Sequence, residues 1–196
     1  MSKLYFTYSA MNAGKSAILL QAAYNYRERG MEVMLLTSGH YGADQSATTG
    51  QIESRIGLSA DAHLYRGETD LYAAIKTQNE TLPISAIFLD EAQFLTEAQV
   101  WQLARIGDDF GLPVLCYGLR TDFQGELFPG SAALLALADD LREARTICHC
   151  GRKATMTARM DGDGNAIKDG EQVSVAKAVY VSLCRKHWEQ DLGRRA

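Results

Sequence analysis

The chain has 196 residues, 46% apolar and 22% charged, enough for one packed domain with a small appendage. A net charge of −4 argues against a protein that coats nucleic acid, and no apolar run reaches the roughly 18 residues that a membrane span needs. No signal-peptide core follows Met1-Ser2-Lys3, and four cysteines in such a chain suit reduced thiols, so a cytoplasmic protein is expected.

Leu4 to Tyr8 reads as a strand, and Ala17 to Tyr24 as the body of a helix running from about Lys15 to Arg29 and stopping at Gly30. Ile18, Leu19, Ala22, Ala23 and Tyr26 give that helix an apolar stripe. Between strand and helix lies Ser9-Ala10-Met11-Asn12-Ala13-Gly14-Lys15-Ser16. Strand, loop, Gly-Lys-Ser and helix is the setting of a phosphate-binding loop, with Ser9 where the usual pattern begins with Gly. Backbone N–H groups and the helix N-terminus would face an anion there. Lys15 would reach the outer phosphates and Ser16 would hold Mg²⁺.

Glu32 to Thr37 is a nearly continuous apolar strand of the kind buried on both faces of a parallel sheet. Ser38 to Ser59 is polar and rich in Gly, Ser and Thr, and reads as a mobile segment. Ala62 to Tyr65 suggests a short strand and Thr69 to Gln78 a helix. Ser85 to Glu91 is a strand ending on two carboxylates. Thr96 caps a helix through about Asp108, Pro113 to Gly118 is a strand, Ser131 to Leu141 a helix, and Arg145 to Ile147 a last strand. This alternation predicts an α/β fold with a P-loop NTPase-like parallel sheet flanked by helices, over residues 1–147. Composition then shifts to short strands, glycine turns and cysteines, which predicts a small C-terminal lobe over residues 148–196. Cys116, inside an apolar run, reads as a core thiol.

Asp90 at the end of its strand suits a magnesium-binding carboxylate beside a phosphate loop. Glu91 could take a proton from an attacking oxygen, that of water in an ATPase or of a substrate hydroxyl in a kinase. Asp90-Glu91-Ala92-Gln93 is also similar to a helicase signature, but such helicases clamp a strand between two α/β domains, and this chain has room for one. Cys148-His149-Cys150 and Cys184-Arg185-Lys186-His187 supply two close ligand pairs. Cys148, Cys150, Cys184 and His187 would form a closed, structural zinc site, with His149 as a competing ligand. Asp161 to Asn165 resembles the start of a calcium loop, yet Ala166 and Gln172 stand where that motif needs Gly and Glu, so a hairpin turn is expected. His40 and His63 read as incidental.

With these elements in place, the chain resembles the thymidine kinases of the small, zinc-containing type found in bacteria and animals. The resemblance spans almost the whole chain. It rests on Tyr8 to Ser16, Ser54-Arg55-Ile56-Gly57, Asp90-Glu91-Ala92-Gln93-Phe94, Tyr117 to Phe123, Ile147 to Ala154, and Tyr180 to His187. The enterobacterial branch also begins its phosphate loop with Ser. The resemblance implies phosphorylation of the 5′-hydroxyl of thymidine or deoxyuridine by ATP with Mg²⁺. It also implies a homotetramer, feedback inhibition by thymidine triphosphate, and a lasso-like loop rooted at zinc that closes over the base. It assigns Glu91 as general base, Ser9 to Ser16 with Asp90 and Gln93 to ATP, and Arg55 to the reacting phosphates. Phe123, Thr157, Val175, Ala176 and Tyr180 are assigned to the nucleoside. The family's lasso usually carries Ile-Gly-Gly or Ile-Gly-Ala, whereas Val173 to Tyr180 contains no Gly. The distance in sequence between residues 9–16 and the cysteines predicts that the phosphate loop stands independently of the zinc lobe.

Overall fold

A computed structural model describes residues 3–40, 44, 46–173 and 179–193. Val175 and Ala176 lie outside the described residues. The main sheet has seven strands: β1 (Leu4–Ser9), β2 (Val33–Ser38), β3 (Thr49–Glu53), β4 (Ser59–Tyr65), β5 (Ala86–Leu89), β6 (Val114–Leu119) and β7 (Asp140–Glu143). Their order is β3-β4-β2-β5-β6-β1-β7. All neighbours are parallel except the β3–β4 hairpin.

Side chains alternate across the strands, so the sheet has two buried faces. Leu4, Phe6, Met34, Leu36, Ile87 and Leu89 face a core shared with α2 (Leu71–Thr81), α3 (Glu97–Phe110) and α4 (Pro129–Leu137). Val33, Leu35, Ala86 and Phe88 face the other way, against Leu19, Leu20 and Ala23 of α1 (Lys15–Arg27). The stripe on α1 is therefore rotated from the expected one: Leu20 is buried and Ile18 exposed. Asp70 caps α2 through the Ala73 N–H, and Thr96 caps α3 in a reciprocal box with Gln99, worth about 1 kcal/mol.

Three elements differ from expectation. The polar stretch after residue 38 contains β3, an edge strand held by five registered pairs to β4 and by one buried apolar side chain, Ile52. The helix expected through Leu141 ends at Leu137, and residues 140–143 instead pair with β1 as the opposite edge. Residues 146–147, expected in the main sheet, form β8 (Thr146–Ile147) and pair antiparallel with β9 (Lys153–Ala154).

The C-terminal lobe adds the hairpin of β10 (Met156–Met160) and β11 (Val179–Leu183), followed by α5 (Arg185–Asp191). Its small core is Ala154, Ala158, Leu183, Trp188 and Leu192 beside Cys148 and Cys184. The Trp188 indole N–H lies 3.1 Å from both the Phe123 and the Thr157 carbonyl oxygens, tying the lobe to the segment after β6. Asp161 accepts from the Asp163 and Asn165 N–H groups at a tight turn, and Met160 bridges to Ala166 beyond it, in agreement with the hairpin reading.

Candidate active site

The C-terminal ends of β1, β5 and β6 converge, as ligand crevices do in open α/β sheets. After β1 the chain turns through Asn12 (φ 60°) and Gly14 (φ 75°), both left-handed, before α1 begins at Lys15. Left-handed residues of this kind gather successive N–H groups towards an anion. Nothing stands within 4 Å of where a Gly14 Cβ would sit, so it is the φ angle that calls for glycine. The Lys15 ammonium donates to the Ser9 hydroxyl (2.9 Å) and the Ala10 carbonyl (3.2 Å). Burial lowers its pKa, and the charges of Glu91 and Asp90 act the other way. Ser9 and Ala10 are buried behind the loop. Residues 11–16 line a cavity of about 290 Å³ together with Arg55 and Glu91. Arg55 reaches it from the tip of the β3–β4 hairpin, which turns at Gly57 (φ 86°).

Asp90 is buried, and burial together with the Glu91 charge pushes its carboxyl up to about 6, although the Ser16 hydroxyl hydrogen-bonds to it. A cation between these two oxygen ligands would hold the carboxylate ionised, so the pair fits a magnesium ion. Glu91 sits at φ 55°, a left-handed angle uncommon outside glycine, and leads into a 3-10 turn at Ala92–Phe94. Its carbonyl accepts from the Tyr65 hydroxyl (2.7 Å), and its carboxylate accepts from the Gln93 amide. The Gln93 side-chain oxygen Oε1 in turn accepts from the Leu119 N–H (3.0 Å). The Gln93 side chain, expected on the phosphates, thus bridges Glu91 and the Leu119 backbone.

A second cavity, of about 520 Å³, opens on the other side of Glu91. Phe94, Phe123, Phe128, Thr157 and Tyr180 form much of its wall. Glu91 and Met11 line both cavities. The carboxylate therefore stands between an anion-binding loop and an aromatic pocket of small-molecule size.

A model of the thymidine kinase family matches residues 2–188. The chain belongs to the thymidine kinase family. It is 59% identical to the thymidine kinase of Mesorhizobium japonicum, over all of this chain and 95% of that one. It is likewise 59% identical to that of Rhizobium meliloti (96% and 97% covered) and 53% identical to that of Vibrio cholerae (99% and 100% covered).

Several residues assigned by the family resemblance meet directly. The Thr157 hydroxyl accepts from the Met11 N–H (3.1 Å), and the Ser182 hydroxyl donates to the Met11 carbonyl (2.5 Å). Asn12 donates to the Tyr180 carbonyl (3.4 Å) and accepts at its own carbonyl from Thr146. The phosphate loop is therefore held by the C-terminal lobe, contrary to the independence that sequence distance suggested.

At the far end of that lobe, ligand atoms of Cys148, Cys150, Cys184 and His187 lie within 4.8 Å of one another. His187 Nδ1 is 3.3 Å from the Cys148 sulfur and 3.5 Å from that of Cys184, and the Cys150 and Cys184 sulfurs are 3.9 Å apart. A tetrahedron with zinc–sulfur bonds of about 2.3 Å has edges of about 3.8 Å, so the cluster fits zinc. Burial opposes ionisation of Cys148, but the backbone N–H groups of Cys150 and Cys184 and the His187 ring outweigh it and bring the thiol to about 6. His149 lies outside this set, with its ring stacked on His187. Phe94 and Phe128 were missed as pocket residues. Phe94 lies three residues beyond Glu91, on the turn that follows β5. Phe128 is brought in by α4, and no local pattern marks it.

Proposed function

We propose that the protein transfers the terminal phosphoryl group of ATP to the 5′-hydroxyl of thymidine, and also of deoxyuridine. The observation that carries this reading is the place of Glu91 between the phosphate cavity and the aromatic pocket. With the base held by Phe94, Phe123 and Tyr180 and the phosphates on residues 11–16, the 5′-oxygen meets the terminal phosphorus beside the Glu91 carboxylate. Glu91 takes the hydroxyl proton as that oxygen bonds to phosphorus and the bond to the ADP oxygen breaks. Lys15 and Arg55 offset charge on the transferring oxygens. Ser16 and Asp90 would hold Mg²⁺, which would offset negative charge on the phosphates. Cys148, Cys150, Cys184 and His187 would hold a structural zinc with no position open to substrate.

A nucleoside triphosphate could place its base in one cavity and its phosphates in the other, which supports feedback inhibition by thymidine triphosphate. Exposed Tyr24 and Leu58 line an apolar groove between α1 and β4 and support assembly into a homotetramer. No helix among the described residues is long and apolar enough to cross a membrane, and the free thiols suit the cytoplasm. A phosphate-transfer assay across the four deoxynucleosides with ATP and Mg²⁺ tests the reading. Turnover of thymidine and deoxyuridine is expected. A better purine substrate, or ATP hydrolysis stimulated by single-stranded DNA alone, would overturn it.

A further inference from the structure

Arg159 on β10 is buried to 5% exposure, and none of the ion pairs among the described residues includes it. Its Nε is buried without a hydrogen-bond partner. Nη1 donates to the Glu171 carbonyl (3.0 Å) and Nη2 to the Asp169 carbonyl (3.4 Å). Gly170 lies between these two acceptors at φ 127°, where an added Cβ would stand 2.8 Å from Nη2. The guanidinium carbon is 3.8 Å from the centre of the Phe123 ring. One residue further on, the Gln172 amide donates to Asp122 Oδ2 (3.0 Å), whose partner oxygen accepts from the Gln124 and Glu126 N–H groups. Phe123, Gln172 and Val173 all line the aromatic pocket.

A buried cation without a carboxylate is costly, and an apolar side chain of similar volume would fill the space more cheaply. What an apolar side chain cannot do is lie flat on an aromatic ring and donate in plane to two carbonyls at once. A planar guanidinium can. We infer that Arg159 is a positioning residue for nucleoside recognition. It joins the Phe123 ring to the carbonyls of residues 169 and 171, and with the Gln172–Asp122 bond it fixes Phe123 relative to Gln172 and Val173, which line the same pocket. It touches no substrate. It sets the shape of the slot in which the base lies, so its loss should weaken thymidine binding and leave phosphoryl transfer and ATP binding in place.

This inference rests on the pocket being the nucleoside site. The experiment measures thymidine binding by calorimetry, together with kcat and both KM values, for the wild type, Arg159→Lys, Arg159→Met and Gln172→Ala. Zinc content and Tm are followed in parallel. Arg159→Met should raise the thymidine KM and Kd by about tenfold or more, from the loss of a ring contact and two hydrogen bonds, with kcat and the ATP KM nearly unchanged. Arg159→Lys, which keeps the charge but not the fork, should fall between. If Arg159→Met does not fold, Arg159→Lys and Gln172→Ala carry the test, and Gln172→Ala should raise the thymidine KM a few-fold with kcat kept. A wild type that binds no thymidine overturns both this inference and the functional reading. A wild type that binds thymidine while the folded variants bind it equally well overturns only this inference. So does a parallel fall in kcat and in affinity for both substrates with loss of zinc, which would mark a purely structural arginine.

Discussion

Gly130, the second residue of α4, is buried against the turn that follows Glu91. A Cβ there would stand 2.6 Å from the Ala92 carbonyl oxygen, 2.7 Å from that of Leu95 and 2.9 Å from that of Gln93. All three distances are below any that Cβ atoms tolerate, and all three obstacles are backbone, so no side chain can swing aside. Gly130→Ala must therefore push α4 and the 92–95 turn apart by several tenths of an ångström. Overpacking of this kind costs about 1–3 kcal/mol. For a chain of this size that lowers Tm by about 2–4 °C per kcal/mol. The same turn begins at Glu91 and carries Gln93, and misplacement by ~1 Å can cost about a hundredfold in rate. A smaller shift should lower kcat by about tenfold. Thermal melting and steady-state turnover of the variant measure both effects. Gly162→Ala is the control: nothing lies within 4 Å of its added Cβ, and Gly162 is not left-handed, so Tm should hold or rise slightly. If Gly130→Ala keeps wild-type Tm and kcat, the tight approach of α4 does not position Glu91, and the reasoning fails.

Glu91→Gln should lower kcat by about 10²–10⁴ with little change in ATP affinity, and near-normal turnover would remove Glu91 from the mechanism. Metal analysis should find one zinc per chain. Its removal by chelator should lower Tm and raise the ATP KM as well, because Thr157 and Ser182 of that lobe hold Met11. An unchanged ATP KM in the zinc-free protein would show that those two bonds do not matter to the phosphate loop. Burial pushes the Cys116 thiol far above its usual range, so an alkylating reagent should modify it only after unfolding. Mass spectrometry of native and denatured samples checks this.

The central strands were legible because their runs are apolar enough to be buried twice. β2 and β5 are apolar almost throughout, and nothing but a parallel sheet between helices accommodates them. The two edge strands carried no such signal. β3 contributes one buried apolar residue, Ile52, and the single apolar residue of β7, Leu141, points to solvent, so backbone pairing does most to make β3 a strand and is all that makes β7 one. In the site, the phosphate loop, the acidic pair and the zinc ligands could be read because their chemistry fixes residue type and spacing within a few positions. The aromatic pocket could not be read to the same extent. Its walls come from turns after three different strands and from the C-terminal hairpin, and side chains that meet only through the fold leave no spacing to recognise. The same reason hid the contacts of Gln93, whose partners are Glu91 nearby and Leu119 on the next strand.

The hold of the C-terminal hairpin on Met11 bears on how this chain could be divided. Composition marks a seam near residue 148, the natural place to cut a fragment or insert a passenger domain. A fragment ending there would leave the Met11 N–H and carbonyl without the Thr157 and Ser182 hydroxyls, and Asn12 without the Tyr180 carbonyl. It would also uncover the segment after β6 where Trp188 now donates. The hold on the phosphate loop is thus completed by residues 157–182. A nascent chain would acquire it only once that part has emerged from the ribosome.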